Sequence, residues 1–146
     1  MERIDFIKQC GKVCLGGIIA PSLLESCASN YYAVTKTNGT QITINKSEFF
    51  KIKDGESKAR KYILARHEKL NFPICIFKLT ENTYSAILME CTHNSCELNP
   101  TNSNFVICPC HGSEFDQHGK VQNPPAELDL ITYKITHDNE NIYIQL

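Results

Sequence analysis

Cys91-Thr92-His93 is followed, after fourteen residues, by Cys108-Pro109-Cys110-His111. A Cys-x-His pair and a Cys-x-x-His pair together offer two thiolates and two imidazoles. Thiolate sulfur binds iron and zinc well, and imidazole is a good second ligand type for either. The four residues therefore predict a metal centre of mixed sulfur and nitrogen donors. A structural Cys₂His₂ zinc site is one reading of that set. It leaves two cysteines, Cys96 and Cys110, without a task. One lies in each candidate ligand loop, at what reads as matching places.

The loops Cys91-Thr92-His93-Asn94-Ser95-Cys96 and Cys108-Pro109-Cys110-His111-Gly112-Ser113 resemble those of Rieske proteins of cytochrome bc complexes and of arsenite oxidase. The resemblance continues through Ser113-Glu114-Phe115-Asp116, Gly119-Lys120-Val121, Pro124-Pro125-Ala126 and Leu128 to Tyr133. It is sharp from about residue 88 to 146 and general before that. It implies one [2Fe–2S] cluster in which two histidines replace two cysteines on one iron. Cys91 and Cys108 would hold the inner iron, and His93 and His111 the outer one. Cys96 and Cys110 would form a disulfide between the loops. Ser113 would donate its hydroxyl to a cluster sulfide, raising the potential. Pro124-Pro125-Ala126 would be the segment packed beneath the cluster. The chain departs from the bc-complex pattern at Phe115, where Tyr is usual, and at Asn94, where Leu is usual.

These loops need a rigid support, and the rest of the sequence reads as short strands. Asn38-Gly39 between Tyr31–Thr37 and Gln41–Asn45 predicts a hairpin, and Ile42 and Ile44 alternate with polar neighbours. Tyr62-Ile63-Leu64, Ile74 to Leu79 and Tyr84 to Glu90 predict strands, the last running into the first ligand loop. Phe105-Val106-Ile107 leads into the second. Leu130 to Thr136 and Asn141 to Leu146 predict a closing hairpin around Asp138-Asn139. No segment keeps a helical period. The expected class is all-β, a small antiparallel sandwich with the cluster-binding subdomain inserted between strands. Gly112 and Gly119 are expected to supply backbone freedom. Cys75, in an apolar run, reads as a buried small hydrophobe. His67, His118 and His137 read as surface residues.

Composition bounds the rest. Lys and Arg number 15 against 16 Asp and Glu, so nothing in the charge points to nucleic acid. Eight cysteines are many for 146 residues. A paired Cys96 and Cys110 would suit an oxidising compartment. Residues 1–26 read as a signal segment. Arg3, Lys8 and Lys12 precede the apolar run Val13 to Leu24, which is short for a membrane span and of signal-core length. Cys10 and Cys14 read as part of that segment. Arg3 to Lys8 resembles a twin-arginine export signal with Ile4 at the second arginine. Leu24-Glu25-Ser26-Cys27 resembles a bacterial lipobox, with Cys27 as the lipidated residue. Cleavage without lipid and an uncleaved anchor are the alternatives. Residues 27–146 would be the cluster domain, exported across the bacterial cytoplasmic membrane and held at its periplasmic face.

The expected function is electron transfer as the iron–sulfur subunit or partner of a quinol–cytochrome c reductase-type complex. Its partners would be cytochrome b or c, or a large oxidoreductase subunit, and quinol. The alternatives are the small subunit of an arsenite-oxidase-like molybdoenzyme, a Rieske ferredoxin of an oxygenase system, and a zinc-stabilised module. No catalytic triad or phosphate loop is present, so the chain reads as a component of an oxidoreductase complex rather than an enzyme alone.

Overall fold

The computed structural model describes residues 30–146. The expected signal segment, Cys10, Cys14 and Cys27 lie outside the described residues. The strands are β1 (Thr35–Asn38), β2 (Gln41–Asn45), β3 (Phe50–Lys53), β4 (Glu56–Ala59), β5 (Tyr62–Ala65), β6 (Ile74–Lys78) and β7 (Tyr84–Leu88). They continue with β8 (Asn99–Pro100), β9 (Phe105–Ile107), β10 (Glu114–Asp116), β11 (Val121–Asn123), β12 (Lys134–His137) and β13 (Asn141–Gln145). A 3-10 turn, Lys46–Phe49, is capped by Asn45, whose side chain accepts from the Ser47 N–H. The fold is all-β, with antiparallel sheets, as expected.

The sheet β5-β6-β7 lies at the centre. Successive strand residues point to opposite faces, and here both faces are covered. Ile74 and Ile76 of β6 join Ile42, Ile44, Ile142 and Ile144 in one core against the sheet β1-β2-β13-β12. Cys75 and Phe77 join Ile87, Met89, Leu98, Val106 and Phe115 in a second core, beneath the small sheet β11-β10-β9-β8. Two-sided burial explains why β6 reads as an unbroken apolar run rather than an alternating one. Cys75 is fully buried, and desolvation raises its thiol pKa well above the ordinary value.

The small sheet is inserted between β7 and β12, so the cluster-bearing segment stands on a base built from the two ends of the described chain. The return to the base is tied to β7: Leu88 N–H donates to Ile131 O, and Tyr133 N–H to Ala86 O. Gly119 adopts φ 79°, and a Cβ there would stand 3.2 Å from the Leu130 Cβ, so this turn requires glycine.

Two local expectations are corrected, and one hairpin was not foreseen. Asn38 pairs with Gln41, so the first hairpin turns at Gly39-Thr40 instead of Asn38-Gly39. Gly39 alone takes positive φ, 62°, the pattern of a type II′ turn. A second hairpin, β3-β4, turns at Asp54-Gly55 with φ of 55° and 82°; Phe50 and Ile52 alternate with lysines in β3, yet both strands are exposed throughout. His67 is buried, not on the surface. Its Nδ1 accepts from the Lys69 N–H, and its Nε2 has no partner among the described residues.

Candidate metal centre

The two loops share one backbone plan. In the first, Cys91 N–H donates to Cys96 O at 2.9 Å and Cys91 O accepts from Ser95 N–H at 2.8 Å. In the second, Cys108 N–H donates to Ser113 O at 2.8 Å and Cys108 O accepts from Gly112 N–H at 3.0 Å. Each cysteine thus opens a tight turn closed by a left-handed residue, Ser95 (φ 48°) or Gly112 (φ 80°). The first loop leaves β7, and the second joins β9 to β10. Pairing of those strands fixes where each turn begins: Glu114 faces Ile107 and Phe115 faces Val106.

The turns sort the donors by depth. Cys91 and Cys108 are each 2% exposed and belong to the core that includes Met89, Leu98 and Phe115. His93 and His111 are exposed, with ring centroids 5.0 Å apart. Two buried free thiols below and two neighbouring imidazoles at the surface match a two-metal centre with unlike ends. Cys96 and Cys110 are joined in a disulfide. They do not occupy equivalent turn positions: Cys96 accepts as the turn-closing residue of its loop, whereas Cys110 lies at the tip of the other. The Cys96, Cys108 and Cys110 sulfurs lie within 4.8 Å of one another. The disulfide sulfurs are no longer thiolates, so only Cys108 of these three remains a strong donor.

Residues 124–130 close the site from below. Ser113 is fully buried, and its Oγ accepts from the Ala126 N–H at 3.0 Å. Its own proton has no protein acceptor among the described residues and remains free for a cluster sulfide. From the other loop, Thr92 Oγ1 donates to Leu128 O at 2.6 Å. One side chain from each loop therefore grips the same segment. Sequence reading found Ser113 and the proline segment but missed Thr92 as a clamp. The bond joins residues 36 apart in sequence, and no local pattern reports it. Phe115 is fully buried in the core that holds both free cysteines. Asn94 is exposed.

The match that decides the family runs over residues 27–134, against the Rieske [2Fe-2S] domain. This chain belongs to the Rieske family. The Rieske domain accordingly takes one [2Fe–2S] cluster. The buried thiols, the exposed imidazole pair and the unused Ser113 proton fit that group. Over 56 residues the Rieske domain is 43% identical to the cytochrome b6-f complex iron-sulfur subunit of Synechococcus sp. (strain CC9605). That match covers 37% of this chain and 31% of the relative. The corresponding subunit of Prochlorococcus marinus (strain MIT 9303) is also 43% identical over 56 residues, with the same coverage of both chains. The chain thus matches about a third of the length of these curated relatives. Among solved structures, the plasma membrane Rieske protein PetC3 from Synechocystis PCC 6803 superposes with TM-score 0.53 and 32% identity. The superposition covers 59% of this chain and 87% of that one. The chain is accordingly a Rieske iron–sulfur protein.

Proposed function

We propose that the protein is an exported, membrane-attached Rieske subunit that passes electrons to a cytochrome-type partner in a quinol–cytochrome c reductase-type complex. The observation that carries this reading is the His93–His111 pair, exposed side by side at 5.0 Å over two buried cysteines. Cys91 and Cys108 hold the inner iron and His93 and His111 the outer iron. A Rieske cluster takes and returns one electron, and its imidazole ligands raise its potential above that of all-cysteine clusters. The chain insulates the sulfur end and leaves the imidazole end open to a partner. Both imidazoles are exposed, so a proton is exchanged with solvent when the cluster changes charge, which is the basis of a proton-linked role.

Support for the setting comes from three directions. The relatives named above are iron-sulfur subunits of the cytochrome b6-f complex. The Cys96–Cys110 disulfide suits an oxidising compartment. No helix among the described residues is long and apolar enough to cross a membrane; attachment is assigned to lipid at Cys27 on the lipobox-like run Leu24-Glu25-Ser26-Cys27.

Purified protein should contain equal iron and labile sulfide and give the low-average-g paramagnetic signal of a reduced Rieske cluster. His93→Ala or His111→Ala should lose it. Stoichiometric zinc without iron in fresh protein would end the ligand assignment. For the partner, the potential should fall with rising pH once the oxidised imidazoles lose protons. A profile flat to strongly alkaline pH contradicts the proton-linked quinol role.

A further inference from the structure

A cleft beside the β3-β4 hairpin is lined by four cations, Lys51, Lys58, Arg60 and Lys61, and by no carboxylate. Lys51 and Lys58 are direct cross-strand partners. Like charges placed opposite one another destabilise a strand pair, so this pair works against its own hairpin. None of the four cations makes a salt bridge among the described residues. Glu48, whose backbone oxygen holds Arg60, has its carboxylate engaged, accepting from the Tyr31 hydroxyl and the Val34 N–H. Arg60 is held over the Tyr31 ring and donates to Glu48 O and Phe50 O, which fixes its guanidinium at the rim. Asp54 and Glu56 belong to the hairpin tip and do not line the cleft.

Two placements say what the charge faces. Tyr62, also in the cleft wall, donates its hydroxyl to Asn30 at 3.2 Å. Asn30 is three residues after Cys27. A chain of that length spans about 10 Å at full extension. On the other wall, Lys61 Nζ donates to Asn102 O at 2.7 Å. Asn102 lies in the turn between β8 and β9, and β9 runs from there to Cys108. The cleft is therefore at the end of the small sheet away from the ligand loops.

We propose that this cleft docks anionic phospholipid headgroups, seating the base of the domain on the membrane. The inference rests on the attachment at Cys27 proposed above, which brings the bilayer surface within reach. Cations close to an anionic surface attract it, and the effect fades within a Debye length. The seat serves electron delivery: His93 and His111 then lie on the side away from the lipid, open to the cytochrome-type partner, and quinol is met only when the domain leaves the seat.

The test uses the full chain carrying Cys27→Ala, incubated with phosphatidylcholine vesicles with or without phosphatidylglycerol. The readout is the ratio of the two partition coefficients, in which any apolar contribution of the N-terminal segment cancels. The ratio should be several hundredfold at low salt, roughly fivefold for each of the four cations, and should collapse at high salt. Lys51→Gln with Lys58→Gln should lower it by about 25-fold, roughly fivefold per lysine. Lys36→Gln with Lys134→Gln, an equal charge change on exposed strands elsewhere, should alter it much less. Both double variants should retain the cluster's visible spectrum. A ratio near one, as a site for an acidic protein would give, overturns the proposal. Equal losses from the two double variants also overturn it, because net charge alone would then explain binding. Failure of the Cys27 reading shows separately: mass spectrometry of the intact membrane form would then find Cys27 without lipid.

Discussion

Ser113 Oγ accepts the Ala126 N–H at 3.0 Å inside a fully buried contact. This one oxygen has two duties. It satisfies a backbone donor of the proline segment, and its proton is left for the cluster. Ser113→Ala should therefore do two things at once. It should strand the Ala126 N–H, costing about 1–3 kcal/mol, and it should lower the potential by removing a donor that stabilises the reduced cluster. Denaturation and protein-film voltammetry read the two effects separately. A loss of stability with an unmoved potential would mean the proton does not reach the sulfide.

Phe115 tests the complementary change. Its ring is fully buried, facing Val106 on one neighbouring strand and Val121 on the other. Phe115→Tyr adds a hydroxyl in the core that contains Cys91 and Cys108. If that hydroxyl donates to a cysteine sulfur, the potential rises. If it finds no acceptor, the cost is about 1–3 kcal/mol of stability with no rise. Voltammetry of the variant at fixed pH distinguishes these.

Breaking the loop clamp should weaken the site more than the fold. Cys96–Cys110 closes a segment of sequence separation 14, worth about 3 kcal/mol in the chain-entropy model. Cys96→Ser with Cys110→Ser should leave the core of Ile42, Ile44, Ile142 and Ile144 intact, because neither residue packs against it; Cys96 packs only against the core beneath the small sheet. The variant should lose its visible cluster absorbance on mild heating, before the circular dichroism of the β-sheets changes. Simultaneous loss of both signals would contradict this.

The closing hairpin has an acid-sensitive turn. The Tyr143 hydroxyl donates to Asp138 at 2.6 Å, and the Asn141 and Glu140 N–H groups donate to its other oxygen. Together they depress the Asp138 pKa from 3.8 to about 2. Because the folded value is lowered, the stabilisation is present above 3.8 and is lost as pH falls towards 2. Asp138→Ala should flatten that part of the pH–stability curve, with the largest difference from wild type near neutrality. Urea denaturation across an acid pH series measures it.

The donor set was legible because its chemistry is local. Cys-x-His and Cys-x-x-His confine each thiolate and imidazole to a single turn, and the turn itself decides which is buried and which exposed. The strands carrying the loops were legible for a similar reason: Tyr84 to Leu88 and Phe105 to Ile107 are largely apolar runs with clear breaks. The β3-β4 hairpin was missed, although Asp54-Gly55 is a strong turn signal and Phe50 and Ile52 alternate with lysines, because that alternation is only four residues long and Glu56 to Ala59 does not answer it.

Residues by themselves determined the family, the cluster type and the all-β class. Tertiary structure decided what local pattern cannot encode. Thr92 meets Leu128, Ser113 meets Ala126, and Lys61 meets Asn102 only because the small sheet folds back on its base. His67 is buried by the same logic. A sequence window sees neighbours along the chain, whereas burial and long-range hydrogen bonds are set by strands packed across it.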